Sequence, residues 1–231
     1  MIVAIHQPNY LPWLGYLQKI AAADAFIFLD NVQFSKNSVT NRVRILDGSR
    51  QHWLTVPVSV KLGDPINVVR PAREDWAERH LSTLRNFYAS APAFRDVWPD
   101  VEDLYAGLPD DNLAIINIHI VLDLAKRLEL ETRFLRASEL GCGKTIGDDR
   151  IIELVKIVAP SGTYLSGQGG AKYQNEAKFH AANLKLRYAD FDHPTYNQGG
   201  DEFVPGLSVI DAAFRLGWRG TRALVCRGTA P

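Results

Sequence analysis

The sequence is poor in cysteine, balanced in charge and without a long apolar run, and each of these features excludes a class of protein. It contains 2 cysteines among 231 residues, Cys142 and Cys226, which lie far apart and in no Cys-x-x-Cys pattern. Neither a zinc site nor a disulfide framework is therefore predicted. The 26 Lys+Arg residues cancel the 26 Asp+Glu residues, which argues against nucleic acid as the main partner and against a polybasic membrane anchor.

Targeting and membrane signals are also missing. No segment reaches the about 18 consecutive apolar residues that indicate a membrane-spanning helix. The first residues, Met1 to His6, lack the basic start and apolar core of a signal peptide. We therefore expect a cytoplasmic protein without membrane insertion. No motif predicts a metal site, and the sequence identifies no cofactor.

What the sequence does contain is an alternation of apolar strand-like and helix-like segments. Residues 2–5 form a short apolar run, a helical pattern extends from about residue 12 to 23, and residues 26–29 form a second apolar run. A strand, a helix and a strand in such short succession make a βαβ unit, whose two strands must be parallel. Further strands are predicted near residues 132–135, 163–165 and 184–191. A last helix is predicted to begin after Ser208 and to end at Gly217.

The middle of the chain has a different pattern. Residues 41–60 alternate between polar and apolar side chains around Asp47-Gly48, which predicts an antiparallel hairpin insertion. The segment from about 74 to 130 has helical spacing and is expected to pack on the sheet. Because no repeat or linker-like segment is present, residues 1–231 are predicted to form a single α/β domain. Its sheet should be Rossmann-like, mostly parallel and flanked by helices.

Two polar clusters follow the first two predicted strands. The first comprises His6, Gln7, Asn9 and Tyr10, and the second comprises Asp30, Asn31, Gln33 and Lys36. Because the carboxyl ends of parallel strands meet at one edge of a sheet, where α/β proteins bind ligands, we expect one site from both clusters. His6 would act as a general base that Asp30 supports. The alternative is that His6 donates to a loop carbonyl while Asp30 caps a turn.

Other features predict binding at the same edge. Arg42, beside Asn41, can hold a phosphate or carboxylate through its guanidinium, together with Lys36. The glycine-rich segment 166–170 follows a strand, and its backbone N–H groups can meet an anion, although a plain turn is the alternative. Tyr10, Trp13 and Tyr16 can stack on a base or sugar, but aromatic residues at helical spacing commonly lie in a core.

Much of the chain resembles a known family. The resemblance is to the WbqC-like protein family, and it is carried by IHQPNYLPWLGY (5–16), DNVQF (30–34), NR (41–42), WLTVP (53–57), Tyr173, Tyr196 and Gln198. Members of this family occur in bacterial O-antigen and related sugar-biosynthesis gene sets, and a glycine (aminoacyl) transferase role toward an amino sugar has been proposed for some. The usual Asn after the Asn-Arg pair is Val43 here.

A second resemblance concerns the N-terminal unit alone. The order of strand, helix and strand looks like the start of nucleotidylyltransferases of the pantothenate synthetase type. Those enzymes carry His-x-Gly-His in the helix, to meet the nucleotide phosphates. Here Trp13 and Tyr16 replace both histidines, which argues against adenylyl transfer by that machinery.

The family resemblance, together with the predicted site at the sheet edge, implies a C–N bond-forming transferase. It would move an acyl or aminoacyl (glycine-type) group to an amino sugar or similar small amine, with a sugar nucleotide or an aminoacyl donor as candidate substrates. The predicted catalytic residues are His6, Asp30 and Lys36. The predicted substrate-binding residues are Gln7, Tyr10, Trp13, Tyr16, Asn31, Gln33, Asn41, Arg42, Ser166, Gly167, Gly169, Tyr173, Tyr196 and Gln198. A nucleotide-dependent ligase or nucleotidyltransferase-like enzyme and a non-catalytic subunit of a biosynthetic complex are the two alternatives.

Overall fold

A computed structural model describes residues 1–143, 145–200 and 202–227. The strands, in chain order, are β1 (Ile2–His6), β2 (Ala25–Phe28), β3 (Arg42–Asp47), β4 (Arg50–Thr55), β5 (Val58–Ser59), β6 (Arg70–Pro71), β7 (Arg133–Arg136), β8 (Thr163–Ser166) and β9 (Lys185–Tyr188). The α-helices are α1 (Leu14–Ala21), α2 (Trp76–Tyr88), α3 (Phe94–Ala106), α4 (Leu113–Arg127), α5 (Gly147–Val158), α6 (Glu176–Ala181) and α7 (Val209–Val225).

A parallel sheet of five strands lies at the centre, in the order β7-β2-β1-β8-β9. β1 and β2 are neighbours in register from Val3 with Ala25 to His6 with Phe28. The structure thus confirms the α/β class and the parallel pairing predicted for the first two strands. Every residue of β2 is buried. A strand covered by helices on both faces has this unbroken apolar sequence instead of an alternating one.

Successive side chains of β1 point to opposite faces of the sheet, so this strand contributes to two cores. Val3 and Ile5 pack with Leu154 of α5 and Phe179 of α6. Ala4 belongs to the larger core on the other face, which α1, α2, α3, α4 and α7 complete. The two cores fix β1 from both sides, and its carboxyl end therefore has a well-defined position.

The predicted hairpin insertion is confirmed. β3 and β4 pair antiparallel up to Asp47 with Arg50, and Gly48 in the turn has a φ of 59°, a value that glycine adopts at little cost. The hairpin is tied to α2 because the backbone N–H of Leu46 donates to the Tyr88 hydroxyl at 3.0 Å.

The last helix departs from the prediction at one residue. Ser208 caps α7 by accepting a hydrogen bond from the Ile210 N–H at 3.3 Å. Gly217, predicted as the end of the helix, is instead a kink with a φ of 69°, after which the helix resumes and runs to Val225. A glycine in this backbone region stops one helical segment without preventing the next.

In the part of the chain that the structure describes, no helix combines the length and the apolar character needed to cross a membrane. The same residues contain no group of three or more His, Cys, Asp or Glu side chains arranged to hold a metal ion.

Candidate functional site

The carboxyl edge of the sheet carries two cavities that meet at His6. The first, here called the His6 cleft, has a volume of about 450 Å³ and is lined by His6, Trp13, Gly15, Tyr16, Lys19, Gly167, Gln168, Gly169, Ala189, Phe191 and His193. The second, the Arg150 cleft, has a volume of about 550 Å³ and includes His6, Gln7, Asp148, Arg150, Tyr164 and Tyr173 in its wall. Both volumes are typical of small-molecule sites.

His6 is a neutral imidazole with its Nε2 lone pair available. Its Nδ1 lies 3.0 Å from the Gln7 carbonyl oxygen, and because a carbonyl only accepts, Nδ1 carries the proton. Burial, together with the charge of Lys19, lowers the pKa of His6 to about 4. At neutral pH the ring is therefore uncharged, and its Nε2 can accept a proton. This geometry matches the alternative in which His6 donates to a loop carbonyl, and it leaves the other ring nitrogen able to act as a base.

Lys19 is a buried amine in the wall of the His6 cleft, and the sequence analysis missed it. Its side chain is 6% exposed, and its Nζ donates to the Ile5 carbonyl at 2.8 Å. Burial lowers its pKa to about 7. The signal that identifies it in the sequence is its position three residues after Tyr16, on the same face of α1.

Asp30 is fully buried, but it is directed to the opposite side from His6. Its carboxylate accepts hydrogen bonds from the Ser138 N–H at 3.0 Å, the Ser138 hydroxyl at 2.6 Å and Arg136 Nε at 3.2 Å. The physical reason lies in the strand order: β2 has β7 as its other neighbour, and Asp30 joins the end of β2 to the end of β7. No hydrogen bond joins Asp30 to His6 among the described residues, so the predicted support of His6 by Asp30 has no direct contact behind it.

The other polar residues after β2 lie away from His6. Lys36 and Gln33 are exposed in the loop, and neither lines the two clefts. Asn31 accepts a hydrogen bond from Arg150 Nη2 at 2.5 Å, which places Asn31 behind the wall of the Arg150 cleft. The two polar clusters thus share an edge of the sheet but do not converge on one point.

Gln7 and Tyr16 hold the loop that carries His6. The Tyr16 hydroxyl donates to the Gln7 carbonyl at 3.2 Å, and the Tyr16 ring meets the His6 ring edge-on at 5.1 Å. The Gln7 side chain accepts a hydrogen bond from the Thr40 hydroxyl at 3.3 Å. These contacts fix the orientation of the imidazole.

The glycine-rich segment follows β8 as predicted and forms one side of the His6 cleft. Ser166 is buried at the end of β8, and the turn Gln168–Lys172 begins after Gly167. Gly167 and Gly169 line the cleft. The first N–H groups of such a turn have no acceptor within the turn, so they can donate to a ligand.

A third cavity adjoins the His6 cleft and shares Trp13 and His193 with it. This Arg42 cavity has a volume of about 360 Å³ and is lined by Asn9, Tyr10, Pro12, Trp13, Val39, Arg42, Val43, Arg44, Trp53, His193 and Gly206. Trp13 thus separates two cavities, with its ring packed against Phe191 at 4.7 Å.

Two of the predicted residues near this cavity are held by the core. The Tyr10 hydroxyl hydrogen-bonds His80 Nδ1 at 2.6 Å and the Tyr105 hydroxyl at 2.5 Å. Asn41 is buried and donates to the Val56 carbonyl at 3.2 Å. Both residues support the loop and hairpin that form the cavity wall.

The last three predicted binding residues, Tyr173, Tyr196 and Gln198, do not line the His6 cleft. Tyr173 is 76% exposed at the rim of the Arg150 cleft. The Tyr196 hydroxyl donates to Asp211 at 2.7 Å, and the Gln198 amide makes two hydrogen bonds with the backbone of Val204. Tyr196 and Gln198 therefore order the segment before α7, outside the three cavities.

Comparisons with known proteins agree with the resemblance seen in the sequence. The sequence pattern of the WbqC-like protein family matches residues 7–223. The uncharacterized protein Rv1507c of Mycobacterium tuberculosis is 31% identical over 220 residues, which are 93% of this chain and 94% of that protein. No solved structure matches the chain. Because the family match extends over nearly the whole chain, this protein belongs to the WbqC-like protein family.

Proposed function

We propose that the His6 cleft transfers an acyl or aminoacyl group to the amine of an amino sugar or a similar small molecule, in bacterial polysaccharide or secondary-metabolite biosynthesis. The observation that carries this proposal is the neutral His6, whose Nδ1 donates to the Gln7 carbonyl, in the wall of a cleft of about 450 Å³. Amide formation from an amine needs such a base.

The groups around the cleft suit the steps of this reaction. The substrate nitrogen attacks the carbonyl carbon of an activated acyl group, so a C–N bond forms and the bond from that carbon to its leaving group breaks. His6 Nε2 takes the proton from the nitrogen and passes it to the leaving group. The N–H groups at the start of the turn Gln168–Lys172 can donate to the oxyanion that develops on the carbonyl oxygen.

The glycine-rich segment and the base both line the His6 cleft. Gly167 and Gly169 follow β8, and His6 ends β1, and the two strands are neighbours in the sheet. A substrate between them can therefore meet the base and the oxyanion donors at the same time. Burial lowers the pKa of His6, and the charge of Lys19 lowers it further, so Lys19 acts on the reaction through His6 as a positioning residue.

The test is turnover with His6 replaced. Acetyl-CoA, and glycine with ATP, are to be incubated with UDP- and dTDP-linked amino sugars, and amide products followed by mass spectrometry. The variant His6→Asn keeps an N–H where Nδ1 donates to the Gln7 carbonyl but removes the Nε2 base. We expect its single-turnover rate to fall about 100-fold, the usual contribution of a general base.

The matched control is His180→Asn, because His180 is exposed on α6 and lines neither cleft. A His6→Asn rate within about threefold of the wild-type rate would exclude His6 as the base, since removing a general base costs at least about 100-fold. Release of AMP or pyrophosphate without an amide product would favour the nucleotide-dependent alternative. Absence of turnover together with a stable co-purifying partner would favour a binding subunit.

A further inference from the structure

Asn9, in the wall of the Arg42 cavity, has a buried amide without a hydrogen-bond partner. Its side chain is 1% exposed, and in the described part of the chain neither Oδ1 nor Nδ2 has a partner. Buried polar groups are nearly always satisfied, so an amide left without a donor and an acceptor needs an explanation. A ligand that presents both a donor and an acceptor to the amide supplies one.

The charge of the cavity favours an anion. Arg42 and Arg44 are both in its wall, and none of its described lining residues is acidic. Arg44 is partly occupied, since its Nη1 donates to Gln51 at 2.8 Å and its Nη2 donates to the Pro205 carbonyl at 2.9 Å. The Nε of Arg42 is buried and has no partner among the described residues. Burial and the nearby Arg44 lower the pKa of His193, so this third lining residue adds no positive charge at neutral pH.

The apolar part of the cavity favours a flat ring. Trp53 is 47% exposed although it is a large aromatic residue, and one face of its indole lies 4.1 Å from the guanidinium of Arg42. Val39 is 46% exposed at the same rim. An aromatic ring that packs against Trp53 and Val39 would cover this apolar surface next to a cation, and nucleic-acid bases stack on exposed aromatic side chains in this way.

We propose that the Arg42 cavity binds a nucleoside phosphate, with the phosphate on Arg42 and the base among Asn9, Val39 and Trp53. The guanidinium of Arg42 suits a phosphate, the charge of Arg44 adds to the attraction, and a base offers the donor and acceptor edge that the Asn9 amide lacks. Trp13 and His193 line both this cavity and the His6 cleft, so a group linked to the phosphate can extend past Trp13 toward His6. This last step rests on the proposed function and makes the amine substrate nucleotide-linked.

Calorimetry with UMP and AMP tests the site. Inorganic phosphate and uridine, the two parts of UMP, are measured separately. We expect at least one nucleotide to bind more tightly than either part alone. Arg42→Gln and Trp53→Ala should each weaken that binding about tenfold or more, since the first removes a charged hydrogen bond and the second removes the stacking surface of the base. Arg95→Gln is the matched control, because Arg95 is exposed on α3 and outside the cavity.

Nearly half of the Trp53 side chain is exposed, so Trp53→Ala is expected to fold and tests the site even if Arg42→Gln does not fold. No binding of either nucleotide, or binding that both variants leave unchanged, overturns the proposal. Equal affinity for phosphate and for the nucleotides also overturns it and leaves a simple anion site. His6 does not line the Arg42 cavity, so calorimetry with UMP and AMP reports on this site and not on the base. Loss of the nucleotide-binding proposal can therefore be distinguished from loss of the proposed acyl transfer, which only the turnover assay measures.

Discussion

Replacing Lys19 with methionine is expected to raise the free energy of unfolding at pH 6 by about 3 kcal/mol. Folding lowers the pKa of this amine from 10.5 to about 7 by burial. At about 1.4 kcal/mol per pKa unit, keeping Lys19 protonated in the folded state at pH 6 costs about 4–5 kcal/mol. Methionine removes that cost but loses the hydrogen bond to the Ile5 carbonyl, which is worth about 1 kcal/mol.

The stabilisation by Lys19→Met should depend on pH. A base whose pKa is lowered by folding binds fewer protons in the folded state, so the wild type gains stability as the pH rises from about 7 toward 10.5. The advantage of Lys19→Met should therefore be largest at pH 6 and should disappear by about pH 10. Urea unfolding at several pH values measures the difference. Lys126→Met, at an exposed site on α4, should change stability by less than about 0.5 kcal/mol at every pH.

The same substitution separates a positioning role from a structural one. Lys19 contributes to the low pKa of His6, which is about 4. Without that charge the pKa of His6 should rise, and the acid limb of kcat/KM for acyl transfer should move to higher pH. A stabilised Lys19→Met with an unshifted pH profile would contradict the coupling to His6. A variant less stable than the wild type at pH 6 would contradict the desolvation argument.

The sheet could be predicted where the evidence is local. The apolar runs at 2–5 and 26–29 lie on either side of one helix, so their parallel pairing follows from a short connection, and β1 and β2 confirm it. The hairpin of β3 and β4 follows in the same way from Asp47-Gly48. In each case the partner strand is close in the chain, and the short connection defines the pairing.

The site could be predicted only as far as the sheet edge. The prediction that Asp30 supports His6 assumed that Asp30, at the end of β2, faces the neighbouring strand β1. Asp30 instead contacts residues after β7, which lies on the other side of β2 and comes from a distant part of the chain. No local pattern reports that neighbour. Lys19 was missed for a related reason: a lysine is normally read as exposed, and its burial depends on α1 packing against the sheet and α7.

Replacing Asp30 with alanine is expected to lower the free energy of unfolding by about 3 kcal/mol, because it breaks the ion pair with Arg136 and leaves Arg136 Nε and two donors of Ser138 without their acceptor. The control removes the second ion pair of Arg136, which is with Glu139. The Glu139 side chain is 63% exposed. Glu139→Gln should lower stability by less than about 0.5 kcal/mol, since exposed ion pairs contribute little. Thermal and urea unfolding measure both variants.

Asp30→Asn distinguishes an anchor from a catalytic partner. Asparagine can still accept from the Ser138 N–H, so this variant should fold and should be destabilised less than Asp30→Ala. If Asp30 only joins the end of β2 to the end of β7, the Asp30→Asn rate of acyl transfer stays within about threefold of the wild-type rate, measured well below its melting temperature. A fall of about 100-fold with the fold intact would instead restore the role of Asp30 in supporting His6, because a general base that loses its partner loses most of its effect. The hydrogen bonds of Asp30 to Ser138 and Arg136 favour the first result.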